Sequence, residues 1–309
     1  MEQEHLPPGS LCGAGVGASP PRARAHRAQA LTRAAQVVTG GATGIGLSIT
    51  RELLALGCNV VIASRKQEAL QTAVSELQRQ RLKGEVDCIT CNIREEADVK
   101  KMFAFAIKRF GPVDHLVNNS GGQFPAPAGS ISSNGFRTVV DLNLNGTFIC
   151  CREAFAACMA ERGGNIVNII CDMRNGFPGM AHTGAARAGV ENLTKSLAIE
   201  WAPARVRINC VAPGIITNAS ANAHYEKNTG QAGLLDLSAP GIPAKRTGTV
   251  DEVAAAVVFL LSPAAAYITG VSLPVDGGSC LAPGTVLTTM VSQSAEHRLW
   301  PEYKGAGKL

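Results

Sequence analysis

The chain has 309 residues, 46% hydrophobic and 17% charged, enough for one large α/β domain with a substantial core and tails. Its net charge of +5 comes without a Lys/Arg stripe interleaved with aromatics, which argues against nucleic acid as a partner. No apolar run approaches the roughly 20 residues of a membrane span. The 10 cysteines lack a secreted-domain spacing and read as reduced thiols in apolar runs. Cys88 and Cys91 form a lone C-x-x-C on a strand pattern, without the second pair that a zinc site needs, so no metal is expected.

Residues 1–33 stand apart, with Pro7, Pro8, Pro20, Pro21, Gly/Ala repeats, and Arg22, Arg24, Arg27 and Arg33 after the last acid, Glu4. One reading is an Arg-rich, acid-poor transit peptide. The other is a disordered extension, which the prolines together with Glu2 and Glu4 favour.

From Ala35 onward, strand and helix patterns alternate. Val37, Val38 and Thr39 end a first strand, Gly40, Gly44 and Gly46 follow, and an amphipathic run over 47–56 stops at Gly57. Such a strand, tight turn and helix leave free N–H groups where hydrogen bonding and the helix dipole both favour a pyrophosphate. Gly40 permits a bend that a Cβ would obstruct, and Gly46 lets the helix pack closely. A second strand over 58–63 lies at the distance a dinucleotide fold requires. The turn therefore reads as nucleotide-binding, with Gly40, Thr43, Gly44, Ile45 and Gly46 at the phosphates.

Then come a helix over 67–82, a strand over 86–91, a helix over 97–110 stopped by Gly111-Pro112, and a strand over 113–118. A long helix over 136–162 and a strand over 165–170 precede a helix over 181–201 with Val190, Leu193, Leu197 and Trp201 on its apolar face. A strand over 206–211, an irregular segment from Pro213 to about Gly248, a helix over 250–261 and a strand over 271–275 complete the pattern. Seven short apolar strands separated by helices imply a single α/β domain with a doubly wound (Rossmann) parallel sheet. Ligands of such a sheet lie outside the carboxyl ends of the strands, near the glycine turn.

After the second strand the chain reads Ala63-Ser64-Arg65-Lys66, with no acid until Glu68 to hold a ribose 2′-hydroxyl. Ser64, Arg65 and Lys66 suit a 2′-phosphate, because a guanidinium bonds it bidentately, so NADPH is expected rather than NADH. An ordinary basic helix start is the alternative, one that the helix dipole slightly disfavours.

Thr39-Gly-Gly-x-x-Gly-Ile-Gly46, Asn118-Asn119-Ser120-Gly121, Asn143, Pro213-Gly214 and Asp276-Gly277-Gly278 together resemble the short-chain dehydrogenase/reductase family over residues 35–280. More narrowly, five stretches are similar to its peroxisomal trans-2-enoyl-CoA reductase branch. They are Cys91-Asn92-Ile93-Arg94, Gly121-Gly122-Gln123-Phe124, Gly184 to Val190, Ile242 to Arg246, and the tail Trp300-Pro301 with Lys304 to Gly307. The resemblance implies an enzyme that reduces the C2=C3 double bond of a fatty enoyl-CoA with NADPH, in peroxisomes. It implies a reductase domain over 34–285 between the extension and a tail over 286–309, and paired helices that make a homo-oligomer. By the same resemblance Asn92 and Ile93 lie along the adenine, Asn119 to Gly121 beneath the ribose, and Pro213, Gly214 and Ile216 near the nicotinamide. Asn118 reads as structural.

The wider family uses Ser, Tyr and Lys, with the last two spaced Tyr-x-x-x-Lys on one helix so that the Lys lowers the phenol pKa. Here the corresponding positions hold Cys171, Thr183 and Arg187. Arg187 can still bridge ribose hydroxyls, whereas Thr183 is a very poor acid. In the narrower branch a tyrosine four residues before Lys195 is the credited donor, and this chain has Glu191 there. Thr183, Arg187, Glu191 and Lys195 form one slowly turning helical stripe, on which Glu191 is either a catalytic carboxyl or an ion-pair partner of Arg187 and Lys195. Tyr225, in the irregular segment, is either a hydrogen-bond donor to the substrate oxygen or an aromatic packed on a lid. Asn143 either holds the helix and a water chain or simply bonds to backbone.

For the CoA phosphates the nearby candidates are Arg174, Lys245 and Arg246. Gly307-Lys308-Leu309 resembles a peroxisomal Ser-Lys-Leu address, and the Arg-rich leader would suit a mitochondrion. The same residues leave two alternatives: a 2,4-dienoyl-CoA reductase, or an NADP-binding protein without turnover.

Overall fold

Val37 and Val38 point to opposite faces of strand β1 (Ala35–Thr39) and both are fully buried, so β1 has to be covered on both sides. The computed structural model describes residues 31, 33–173, 176–281 and 300–305. Strands β2 (Asn59–Ser64), β3 (Val86–Thr90), β4 (Val113–Asn118), β5 (Gly164–Ile169), β6 (Val206–Pro213) and β7 (Ser272–Val275) join β1 in one parallel sheet. Its order is β3-β2-β1-β4-β5-β6-β7, the expected seven-stranded doubly wound arrangement. The order reverses between β1 and β4, and the crevice for a ligand opens there.

The helices are α1 (Gly44–Ala55), α2 (Gln67–Arg79), α3 (Glu96–Phe110), α4 (Ser133–Val140), α5 (Gly146–Ala154), α6 (Ala181–Glu200), α7 (Ala219–Thr229) and α8 (Val250–Leu261). One core layer packs Leu53, Leu70, Val257 and Leu260 on Val38, Val60 and Ile62. The other packs Met102, Phe103 and Leu197 on Val37, Val61, Leu116 and Ile166. Full burial of one such side chain contributes roughly 1.5–3 kcal/mol. The sheet separates the two layers, and buried polar side chains tie it to helix α6 on one face. Asn118 Nδ2 donates to Asn168 Oδ1 (2.8 Å) and Asn168 Nδ2 to Thr194 Oγ1 (2.9 Å), linking β4, β5 and α6. Asn118 is therefore structural, as its sequence context suggested. No helix among the described residues is long and apolar enough to cross a membrane.

Two elements differ from the sequence expectations. The long helix begins at Ser133 because Ser132 caps it, accepting from Gly135 N at 3.0 Å. It is also broken into segments, with π-helical turns at Asp141–Asn145 and Phe155–Met159 and a last α-helical turn at Ala160–Arg162. A π turn re-aims the side chains it carries, and the first one carries Asn143. The segment expected to be irregular contains α7. Its small and polar residues have no apolar stripe, so periodicity gave no signal, and none of them is buried. Local chemistry forms it: Asn218 accepts from Ala221 N at 3.0 Å, and Gly230, at φ +72°, ends the helix.

Candidate active site

The glycine turn and the loop after β4 interlock. Gly40 has φ +67°, and a Cβ there would lie 2.8 Å from Asn119 Nδ2. Asn119 donates to Thr39 O (3.2 Å) and Gly40 O (3.1 Å), while Thr39 Oγ1 accepts from Asn119 N and Ser120 N. A Cβ on Gly46 would lie 2.2 Å from Gly40 O, so only glycine lets α1 come this close. Thr43 is exposed and provides no side-chain cap to α1, which leaves the first-turn amides open beside Gly44 and Ile45. A backbone cradle without side chains, at an uncapped helix N-terminus, fits a pyrophosphate.

Beyond β2, Arg65 and Lys66 are exposed at the start of α2, and Ser64 Oγ accepts from Lys66 N at 3.3 Å. Asn92 Oδ1 accepts from Arg94 Nε at 3.4 Å, which brings another cation to this end of the sheet. Ile93 is a core side chain packed on Gly146. At the end of β6, Pro213 is buried, Gly214 backs onto Asp276 and Ile216 packs on Gly248.

The loop leaving β4 is gripped residue by residue. A Cβ on Gly121 would lie 2.2 Å from Arg187 Nη2 and 2.7 Å from Asn143 Oδ1. Asn143 is fully buried; it donates to Gly122 O and Val139 O, both at 2.8 Å, and accepts from Gly122 N at 3.2 Å. Gln123 Nε2 donates to Tyr225 Oη at 2.7 Å, and His224 Nε2 lies 3.0 Å from Gln123 O, so the imidazole N–H donates to that carbonyl. Phe124 meets His182 edge-on with ring centroids 4.4 Å apart.

Arg187 is buried and donates to Ile169 O at 2.6 Å. Burial pulls its pKa down, with Cys171 and Cys210 opposing. Burial pushes the Cys171 thiol up to about 11, with the Arg187 charge opposing. The Tyr225 phenol is likewise raised by burial and lowered by its bond from Gln123, and it feels Cys171. Cys171 thus lies near both Arg187 and Tyr225.

The helical stripe rotates away from these residues. Thr183 is fully buried, its N–H directed to His182 Nδ1 (2.8 Å) and Met180 O (2.9 Å). Glu191 pairs with exposed Lys195 at 3.0 Å, while Arg187 turns inward to the β5 carbonyl instead of outward along the stripe. Asn143 spends both amide hydrogens on backbone carbonyls, one in its own helix and one in the loop after β4. Arg246 is not free for a CoA phosphate, because it chelates Glu252 (3.0 and 2.5 Å) and donates to Trp300 O and Pro301 O. Lys245 donates to Pro240 O at 2.8 Å. Arg174, residues 1–30 and Gly307-Lys308-Leu309 lie outside the described residues.

Sequence reasoning missed Gln123 and His182. Gln123 follows the Gly121-Gly122 pair at the end of β4, a position where strand-end loops carry ligands, and that was the available signal. His182 is fully buried and carried none.

With this geometry in hand, residues 40–280 match the family model described as enoyl-(acyl carrier protein) reductase. A probable 2,4-dienoyl-CoA reductase of Bacillus subtilis (strain 168) is 34% identical over 257 residues, covering 82% of this chain and 99% of that protein. A peroxisomal 2,4-dienoyl-CoA reductase of Danio rerio is 36% identical over 247 residues, covering 79% of this chain and 80% of that protein. Among solved structures, a variant of actinorhodin polyketide ketoreductase with NADPH superposes with a TM-score of 0.73 at 32% identity, covering 79% of this chain and 96% of that one. The chain belongs to the short-chain dehydrogenase/reductase family, whose members are nicotinamide-dependent oxidoreductases. The Bacillus and Danio relatives are named for the reduction of unsaturated acyl-CoA thioesters.

Proposed function

We propose that the chain is an NADPH-dependent reductase of the C2=C3 double bond of trans-2-enoyl-CoA, acting in fatty acid metabolism. The observation that carries this reading is the exchange of proton donors. Thr183 and Arg187 stand at the family's Tyr-x-x-x-Lys positions and are buried, while a phenol, Tyr225, arrives from the covering helix α7. A ketone substrate needs an acid for its alkoxide, which Thr183 cannot be. An enoyl thioester needs less: as C2=C3 is reduced, negative charge gathers on the thioester oxygen, and a donor aimed there is sufficient. Tyr225 O–H supplies that donor, and C2 takes its proton from solvent.

A bound nicotinamide would supply the hydride. Gly40, Thr43, Gly44, Ile45 and Gly46 would hold its pyrophosphate, and Ser64, Arg65 and Lys66 its 2′-phosphate. Asn92 and Ile93 would lie at the adenine, Asn119, Gly121 and Arg187 at the ribose, and Pro213, Gly214 and Ile216 at the nicotinamide. The absence of an acid between Ala63 and Glu68 supports NADPH over NADH. The zebrafish relative's name supports a peroxisomal location.

A second reading, 2,4-dienoyl-CoA reduction, is favoured by the names of the Bacillus and Danio relatives. Steady-state assays with NADPH and matched trans-2-enoyl-, 2,4-dienoyl- and 3-oxoacyl-CoA decide between the two. Highest kcat/KM on the enoyl thioester is expected. Preference for the dienoyl thioester selects the second reading, and tight NADPH binding with no turnover on any of the three rejects both.

A further inference from the structure

We propose that Gln123 is the positioning residue for the Tyr225 phenol: its carboxamide N–H, donated to Oη, leaves the phenolic proton free to face a substrate oxygen. This rests on the reading of Tyr225 as the donor to an acyl-CoA thioester. A phenol has a single O–H, and its oxygen also accepts. With Gln123 Nε2 at 2.7 Å filling the accepting role, the O–H is directed elsewhere.

The carboxamide can do this because its own main chain is held. Gln123 O accepts from His224 Nε2 at 3.0 Å, and the preceding peptide at Gly122 is bonded on both sides by Asn143. His224 and Tyr225 are neighbours on α7, so one loop residue meets two successive residues of the covering helix, main chain to one and side chain to the next. No residue of α7 is fully buried and Tyr225 is only half-buried, so these two bonds do not serve a packed core. They set where the phenol stands over the loop leaving β4.

The test is a change of hydrogen-bond polarity at constant shape. Gln123→Glu is isosteric, but its carboxylate accepts rather than donates and draws the phenolic proton inward. The variant is expected to lose about tenfold or more in kcat on the enoyl thioester at neutral pH, with its NADPH Kd unchanged. It should regain rate as the pH is lowered and the new carboxyl, once protonated, donates again. Gln123→Leu should fall between wild type and Gln123→Glu and show no recovery in acid. A residue there for packing alone would tolerate Glu best, so wild-type kcat in Gln123→Glu, or a loss that acid does not reverse, overturns the proposal.

Should the wild type turn over no acyl-CoA, the functional reading fails by itself, and the positioning is read spectroscopically. The chain has 3 tyrosines, so the ultraviolet titration of Tyr225 can be isolated in a Tyr267→Phe, Tyr303→Phe background. Gln123→Leu is expected to raise the phenol pKa there, and an unmoved titration overturns the proposal independently of activity.

Discussion

Asn143 closes a hydrogen-bonded ring on the peptide of Gly122, its Nδ2 giving to the carbonyl at 2.8 Å and its Oδ1 taking from the N–H at 3.2 Å. The π turn that carries Asn143 thereby fixes the loop that carries Gln123. Asn143→Ala leaves both backbone groups without that partner, at a cost of about 1–3 kcal/mol for each that stays buried. Thermal unfolding should show a Tm several degrees lower, with kcat falling alongside. A variant with wild-type Tm and kcat would mean the ring holds nothing.

Arg65, exposed just after β2, is the residue proposed to hold the 2′-phosphate. Removing a charge-assisted bond worth roughly 1.5–3 kcal/mol should raise the NADPH Kd about tenfold or more in Arg65→Ala, leaving the NADH Kd unchanged. Calorimetric titration with both nucleotides checks this. Equal effects on the two would move the phosphate elsewhere.

Gly46 and Gly129 make a paired test of close packing. A methyl at Gly46 would meet Gly40 O at 2.2 Å, a backbone atom that cannot step aside, whereas a methyl at Gly129 meets nothing within 4 Å. Gly46→Ala should destabilise by about 1–3 kcal/mol, as overpacking does, and weaken nucleotide binding. Gly129→Ala should do neither. Chemical denaturation with and without NADPH reads both effects.

His115 lies on β4 at the far end of the sheet, its Nδ1 3.0 Å from Asn165 Nδ2. Burial first, and the Arg207 charge second, pull its pKa down to about 4. A histidine depressed below its unfolded value near 6.5 binds fewer protons in the native state, so its neutral form favours folding fully above that value. Stability is lost as the pH falls from about 6.5 towards 4, by about 3 kcal/mol in all. His115→Leu should flatten this part of the pH dependence in urea titrations. An identical slope in wild type and variant would assign the acid sensitivity to carboxylates alone.

The fold was legible because parallel strands buried on both faces spell themselves as β-branched runs, as Val60 to Ile62 do, with glycines such as Gly57 and Gly111 marking the helix ends. The break of the long helix was not, since the π turns at Asp141–Asn145 and Phe155–Met159 contain no proline or glycine to mark them. Helix α7 escaped because caps, not a hydrophobic stripe, define it. In the candidate site, the glycine turn and Arg65 are local features of the sequence. The pairings of Gly122 with Asn143 and of Gln123 with Tyr225 join distant segments, and sequence spacing carries no trace of them. Arg246 shows the same limit from the other side: a cation that looked available is consumed by Glu252 and the backbone of Trp300 and Pro301.

The central claim is that a phenol from the covering helix replaces the buried Thr183 as the donor in enoyl thioester reduction. Single-turnover mixing of the NADPH-loaded protein with a medium-chain trans-2-enoyl-CoA, followed by nicotinamide absorbance, tests it most directly. Wild type should oxidise one equivalent of NADPH, and Tyr225→Phe should do so roughly a hundredfold more slowly, as loss of an oxyanion donor does, with Thr183→Val near wild type. Equal rates for wild type and Tyr225→Phe would contradict it.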